Sequence, residues 1–154
     1  MTHGNLIKRS LQRAMAICAG SEHSSGDIRH KLTLWGLNAN DSEEVIRMLI
    51  KENFINDKRY ASAYTADKLR NNRWGKIKIL SQLRSKGISE EIIRSALNEV
   101  NDSEYTYMIR EVLSSYRKTV KAKNQFDLKG KMMRFGLSRG YESNLLYDLL
   151  SDLE

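Results

Sequence analysis

Apolar residues recur at three- and four-residue spacing along most of the chain, and one such pattern occurs three times. Ile28-x3-Leu32-x3-Gly36-Leu37, Ile79-x3-Leu83-x3-Gly87-Ile88 and Leu128-x3-Met132-x3-Gly136-Leu137 share a template, with glycines 51 and 49 residues apart. An i, i+4 apolar pair that ends in glycine predicts a helix with a C-terminal cap, because glycine enters the left-handed conformation cheaply. Downstream stand Ser42-Glu43-Glu44-Val45-Ile46, Ser89-Glu90-Glu91-Ile92-Ile93 and the looser Glu142-Ser143-Asn144-Leu145-Leu146. The first two predict helix starts in which serine caps the first backbone N–H groups and the glutamates complement the positive helix end. Further helices open at Asn56-Asp57-x-x-Tyr60 and Asn101-Asp102-x-x-Tyr105, and Ile7, Leu11, Ala14 and Cys18 hold helical spacing near the start.

The order helix, loop, helix, glycine turn, helix therefore repeats about every 50 residues, within the range of helical-repeat modules. It predicts an all-α fold of three tandem three-helix units, 1–55, 56–100 and 101–154, forming an elongated, curved array. The absence of proline, and the abundance of Leu, Ile, Lys, Glu and Arg, agree with helices. Apolar runs such as Ala14 to Ala19 are too short to cross a membrane, and no secretory core follows Lys8 and Arg9. The single cysteine, Cys18, suits a reducing compartment, so the expectation is a cytoplasmic monomer without a membrane partner.

Charge sharpens the picture. The net charge is +7, and the excess is local: residues 56–100 carry ten Lys/Arg against five Asp/Glu, while the flanking thirds are nearly balanced. From Lys68 to Lys86 there are seven cations (Lys68, Arg70, Arg73, Lys76, Lys78, Arg84 and Lys86) and no acid, with Trp74 among them. A second run comprises Arg117, Lys118, Lys121 and Lys123, expected on a loop, then Lys129, Lys131 and Arg134 on the following helix, interrupted only by Asp127. Such cations neutralise phosphates, and an aromatic ring among them stacks on an unpaired base. The competing expectation for Trp74 is packing beneath the turn, as large aromatics usually do. The runs occupy equivalent positions in consecutive units and predict one basic stripe along the array, suited to a long polyanion such as single- or double-stranded DNA.

Catalytic constellations are not expected. His3, His23 and His30 lack partners at metal-ligand spacing, so neither metal nor cofactor is predicted. The glutamate pairs read as helix-start residues, Cys18 as a core residue, and no phosphate-binding glycine loop occurs. The chain is read as a binding protein, not an enzyme. A nuclease would need clustered acids for metal ions.

Phe54-Ile55-Asn56-Asp57-Lys58-Arg59-Tyr60-Ala61, followed by Gly75-x3-Ile79-x3-Leu83-x2-Lys86-Gly87-Ile88, resembles the central signature of RecX regulatory proteins. The similarity runs over about residues 10–153. It departs from the family pattern at Asn56, where an acid is usual, at Gln82, where glutamate is common, and at Phe135, where a basic residue often precedes the third glycine. The resemblance implies three tandem three-helix units. It also implies binding to RecA filaments on DNA, restraint of their ATP hydrolysis, strand exchange and coprotease activities, and a place in DNA recombination, repair and the SOS response. The alternative reading is a stand-alone helical nucleic-acid-binding module that affects RecA only by competing for DNA.

Overall fold

The structure, a computed structural model, describes residues 2–152. Met1, Leu153 and Glu154, at the ends of the outer two expected modules, lie outside them. The described residues form nine α-helices, one π-helical turn and no strand. The helices are α1 (His3–Gly20), α2 (Ser25–Leu34), α3 (Ala39–Lys51), α4 (Asp57–Asp67), α5 (Lys76–Ser85), α6 (Glu90–Asn98), α7 (Asp102–Thr119), α8 (Gln125–Ser138) and α9 (Ser143–Ser151). The π-helical turn, Lys68–Asn72, continues α4. The chain is thus all-α, a succession of three-helix repeats: α1 to α3, α4 to α6 and α7 to α9.

Each middle helix ends in the same double hydrogen bond. Leu37 N–H reaches Leu32 O while Gly36 N–H reaches Thr33 O; Ile88 and Gly87 do the same with Leu83 and Arg84. In the third repeat the pair is Tyr141 to Gly136 O and Gly140 to Leu137 O. Gly36, Gly87 and Gly140 all have positive φ, as this cap requires. The expected third cap, Gly136, is therefore displaced: α8 runs a turn further and Gly140 closes it. Gly136 is needed for another reason. A Cβ there would lie 2.5 Å from Leu146 Cδ2, so the missing side chain is what lets the fully buried Leu146 of α9 approach α8. The residue before the capping Gly140 is Arg139, while Phe135 stacks on Tyr116 at 4.0 Å.

Two helix starts differ from expectation. Ser42 does not cap α3. Asn38 does, its side chain accepting Asp41 N–H at 2.8 Å, and Ser42 lies inside the helix on its buried face. Ser89 caps α6 as expected, accepting Ile92 N–H at 3.3 Å. Glu142 stands at the start of α9 without making a side-chain cap bond. Its carboxylate instead accepts the hydroxyl proton of Tyr105.

Packing divides the chain into two compact units, residues 1–61 with 83–93, and residues 62–82 with 94–154. The core of the first holds Ala14, Ile28, Leu32, Val45, Ile46 and Leu49, with Ile7, Leu11 and Cys18 packed against it. Burial pushes the Cys18 thiol pKa up, away from the thiolate that nucleophilic chemistry needs. Within this unit, Ser25 donates its N–H and its hydroxyl to Asp57, at 2.8 and 2.6 Å. A Cβ on Gly26 would meet Lys86 O at 2.3 Å. The second unit centres on Tyr105, Ile109, Leu113, Met132, Tyr141 and Leu146. No helix among the described residues is long and apolar enough to cross a membrane.

Candidate nucleic-acid interface

The first basic run sits on an irregular piece of backbone. The end of α4 widens into the π-helical turn, Arg73 takes a left-handed φ of 54°, and Trp74 N–H closes the turn on Lys68 O at 3.1 Å. Such π-helical insertions are uncommon and occur disproportionately at functional sites. The next residue, Gly75, allows the backbone to cross the α8–α9 turn: Gly75 N–H donates to Arg139 O at 2.8 Å and Ile77 N–H to Gly140 O at 3.0 Å. Tyr141, fully buried, donates its hydroxyl to Arg73 O at 2.7 Å. Tyr105 accepts Lys76 N–H at 2.9 Å, and burial with the Glu142 carboxylate beside it raises its pKa far above the ordinary phenol. The turn is thus held from the third repeat by backbone and phenol contacts.

Trp74 is half-buried in this frame. Its ring meets Tyr64 edge to face, with centroids 6.5 Å apart, and the ammonium groups of Lys68 and Lys78 lie 5.1 and 4.7 Å from its centroid. These are cation–π distances, so the ring holds two cations near one point of the surface. The other cations of the run are more committed. Arg73 pairs with Glu111 at 3.4 Å, and Lys76 lies 3.8 Å from Asp102 and over the Tyr105 ring. Lys68 is 3.7 Å from Asp67. Arg84 is ion-paired to Glu90, and Lys86 is 3.6 Å from Asp27. Arg84 and Lys86 also belong to the first compact unit, whereas Lys68, Arg70, Arg73, Trp74, Lys76 and Lys78 belong to the second. Arg70 and Lys78 have no carboxylate partner among the described residues.

The second run lies wholly in the second unit. Arg117 and Lys118, expected on the loop, form instead the last turn of α7, where cations complement the negative helix end. Lys121 and Lys123 occupy the following loop, and Lys129, Lys131 and Arg134 lie on α8 as expected. The one acid in the run is neutralised locally. Asp127 accepts Lys123 N–H at 3.0 Å, which holds its carboxyl below the usual range, and Lys131 approaches it at 3.3 Å. Lys131 also donates to Lys121 O at 2.6 Å, tying the loop to the helix. Arg117, Lys118, Lys121, Lys123, Lys129 and Arg134 have no ion-pair partner among the described residues. This run, not the first, carries most of the uncommitted charge.

The sequence reading missed Phe126. It lies in the first turn of α8, between Lys123 and Lys129, and is 89% exposed. No ring or cation covers it among the described residues, and the residue one turn on, Gly130, has no side chain to lie across it. The sequence signal for it is an aromatic residue with a lysine three positions away on each side, Lys123 and Lys129.

The fold and these sites can be set beside known proteins. The RecX second three-helix domain matches residues 56–97. Regulatory protein RecX of Salmonella paratyphi A (strain ATCC 9150 / SARB42) is 31% identical over 144 residues, 86% of this chain and 84% of that protein. RecX of Clostridium botulinum (strain Eklund 17B / Type B) is 31% identical over 129 residues, 81% of this chain and 59% of that protein. RecX of Clostridium perfringens (strain SM101 / Type A) is 32% identical over 117 residues, 75% and 54%. The chain thus spans little more than half the length of these clostridial relatives. The crystal structure of RecX from Lactobacillus salivarius superposes with a TM-score of 0.85 at 20% identity, covering 97% of both chains, which establishes the fold. With the identity to the Salmonella protein covering most of both chains, and the middle repeat matching the family's second domain, the chain belongs to the RecX family.

Proposed function

We propose that this RecX-family chain regulates the RecA recombinase by binding the RecA–DNA filament and restraining it, acting through contact and not through catalysis. Family membership supplies the RecA half of this reading. The observation that carries the DNA half is the stretch from the end of α7 through α8, which holds six cations without carboxylate partners among the described residues and one exposed, uncovered aromatic ring, Phe126. Uncommitted cations gain the full benefit of phosphate contact, since no internal ion pair must break first. Lys68 and Lys78, gathered over Trp74, add a second point of positive charge in the same compact unit.

A second reading, competition for DNA without RecA contact, is favoured by the same free cations. The test is RecA ATP hydrolysis on single-stranded DNA, with increasing amounts of this protein. The proposal expects inhibition at amounts near or below one molecule per filament site, persisting when excess single-stranded DNA is present. Inhibition abolished in proportion to added DNA supports competition alone. Unchanged hydrolysis and strand exchange with the protein in large excess refutes both.

A further inference from the structure

The one acid within the second basic run is held by more than its charge. Asp127 stands in the first turn of α8, and its Oδ2 accepts the backbone N–H of Lys123 at 3.0 Å. The same oxygen lies 3.3 Å from Lys131 Nζ, four residues along the helix. That ammonium donates in turn to the backbone carbonyl of Lys121 at 2.6 Å. Asn124 caps the helix between them, its side chain accepting Asp127 N–H at 2.8 Å. Lys121 carbonyl, Lys131 ammonium, Asp127 carboxylate and Lys123 amide thus close a ring. It holds the loop between α7 and α8 by its main chain on both sides of Ala122, and Lys121 and Lys123 stay exposed. All these residues belong to the second compact unit.

The ring separates Lys131 from the cations around it. An ammonium has three N–H donors and no acceptor, and Lys131 directs donors at two oxygens of its own chain. It is therefore less available to a phosphate than Lys121, Lys123 or Lys129. A loop without regular structure loses backbone freedom when it binds, a cost that grows with each residue ordered on binding. A loop ordered beforehand avoids that cost. Phe126, next to Asp127 in the same first turn, shares the framework.

We propose that Asp127 and Lys131 are positioning residues for nucleic-acid binding: they touch no phosphate, and they hold the 121–123 loop where its two lysines and Phe126 meet one single strand together. This rests on the DNA half of the function proposed above and deepens it. It gives an acid a favourable part in binding an anion, the opposite of what its charge alone implies.

Asp127→Ala and Lys131→Met separate position from charge. By charge alone, removing an acid from a basic surface strengthens polyanion binding, and removing a lysine weakens it. By position, both substitutions open the same ring. Each is expected to weaken binding of an oligothymidylate by about tenfold, the equivalent of ordering roughly one loop residue. The double variant should be about as weak as either single one, because the two residues act through one ring. The log–log salt slope should keep the parent's value in Lys131→Met, since the freed loop still reaches the same phosphates once bound; loss of a phosphate contact would flatten it by about 0.7. Helicity and the thermal midpoint should stay near the parent's, as partly exposed ion pairs contribute little to stability. Without DNA, the backbone heteronuclear NOE of residues 121–124 should fall in both variants while that of α8 is kept.

Tighter binding by Asp127→Ala, additive losses in the double variant, a flattened slope in Lys131→Met or unchanged loop NOE values each overturn the proposal. So does a loss of binding that only follows a loss of helicity, which would make the ring structural. A parent chain that binds no single strand refutes the DNA reading itself, and the proposal with it.

Discussion

Gly75 and Gly140 meet backbone to backbone: a Cβ on Gly75 would lie 2.1 Å from the Gly140 carbonyl oxygen, and a Cβ on Gly140 would lie 2.4 Å from Lys78 Cβ. This crossing joins the second repeat to the third and presents the turn that carries Arg73, Trp74 and Lys76. Gly75→Ala forces two backbones apart, a cost of about 1–3 kcal/mol by analogy with overpacked cores. The expected outcome is a lower thermal midpoint together with a changed Trp74 fluorescence maximum, since the ring leaves its packed position. An unchanged spectrum would separate the glycine crossing from the placement of Trp74.

Gly87 and Gly136 occupy the same template position in sequence and different positions in the fold, so they should respond differently. Gly87 has φ of 79° with open space around it, and Gly87→Val should cost about 1 kcal/mol or more from left-handed strain alone. Gly136 is helical, and any side chain there drives into Leu146. Gly136→Val is expected to be the more destabilising of the two in urea titration, by about 1–3 kcal/mol from overpacking. Equal midpoints would mean that the third cap is at Gly136 after all.

The uncommitted cations of α7 and the following loop set the salt response. If Arg117, Lys121 and Lys123 each neutralise one phosphate, charge reversal at all three should flatten the log–log salt dependence of single-strand binding by about two units. Helicity should be unaffected, because exposed positions contribute little to stability. The parent's slope in the triple variant would move the phosphate contacts elsewhere, with Arg70 and Lys78 the next residues to reverse.

Phe126 should act through stacking, not through charge. Phe126→Ala is expected to weaken single-strand binding by about 5- to 150-fold, the range for one base–aromatic contact, without changing the salt slope or the melting temperature. Phe126→Trp should retain binding and report it by quenching. Binding to duplex DNA, whose bases are already stacked, should change little. If single-strand affinity is indifferent to the alanine variant, the exposed ring belongs to a protein contact.

Much of the fold was present in the spacing of apolar residues. Ile28 and Leu32, Ile79 and Leu83, and Tyr105 and Ile109 are buried where helical periodicity puts them, and Asn56 and Asn101 cap the helices they open, accepting N–H groups at 3.0 and 2.9 Å. These features are local: a cap needs three or four consecutive residues, and a buried stripe needs only one helix, so the order of residues suffices to specify them. Gly36 and Gly87 belong to the same class.

What required the tertiary structure depends on residues far apart in the chain. Gly136 matched a cap pattern, but the approach of Leu146 from α9 assigns it to packing and passes the cap to Gly140. Asp57, part of the family-like signature, binds Ser25, 32 residues away, and Trp74 is surrounded by Tyr64, Lys68 and Lys78. The division of the basic residues into paired and free is of the same kind. Charge along the sequence identifies cations, whereas availability depends on which carboxylates folding brings within reach, as Glu111 is brought to Arg73 and Asp102 to Lys76. Helices follow from short-range backbone preference and amphipathic pattern, which the sequence states directly; sites follow from side chains converging in three dimensions, which it states only through the fold.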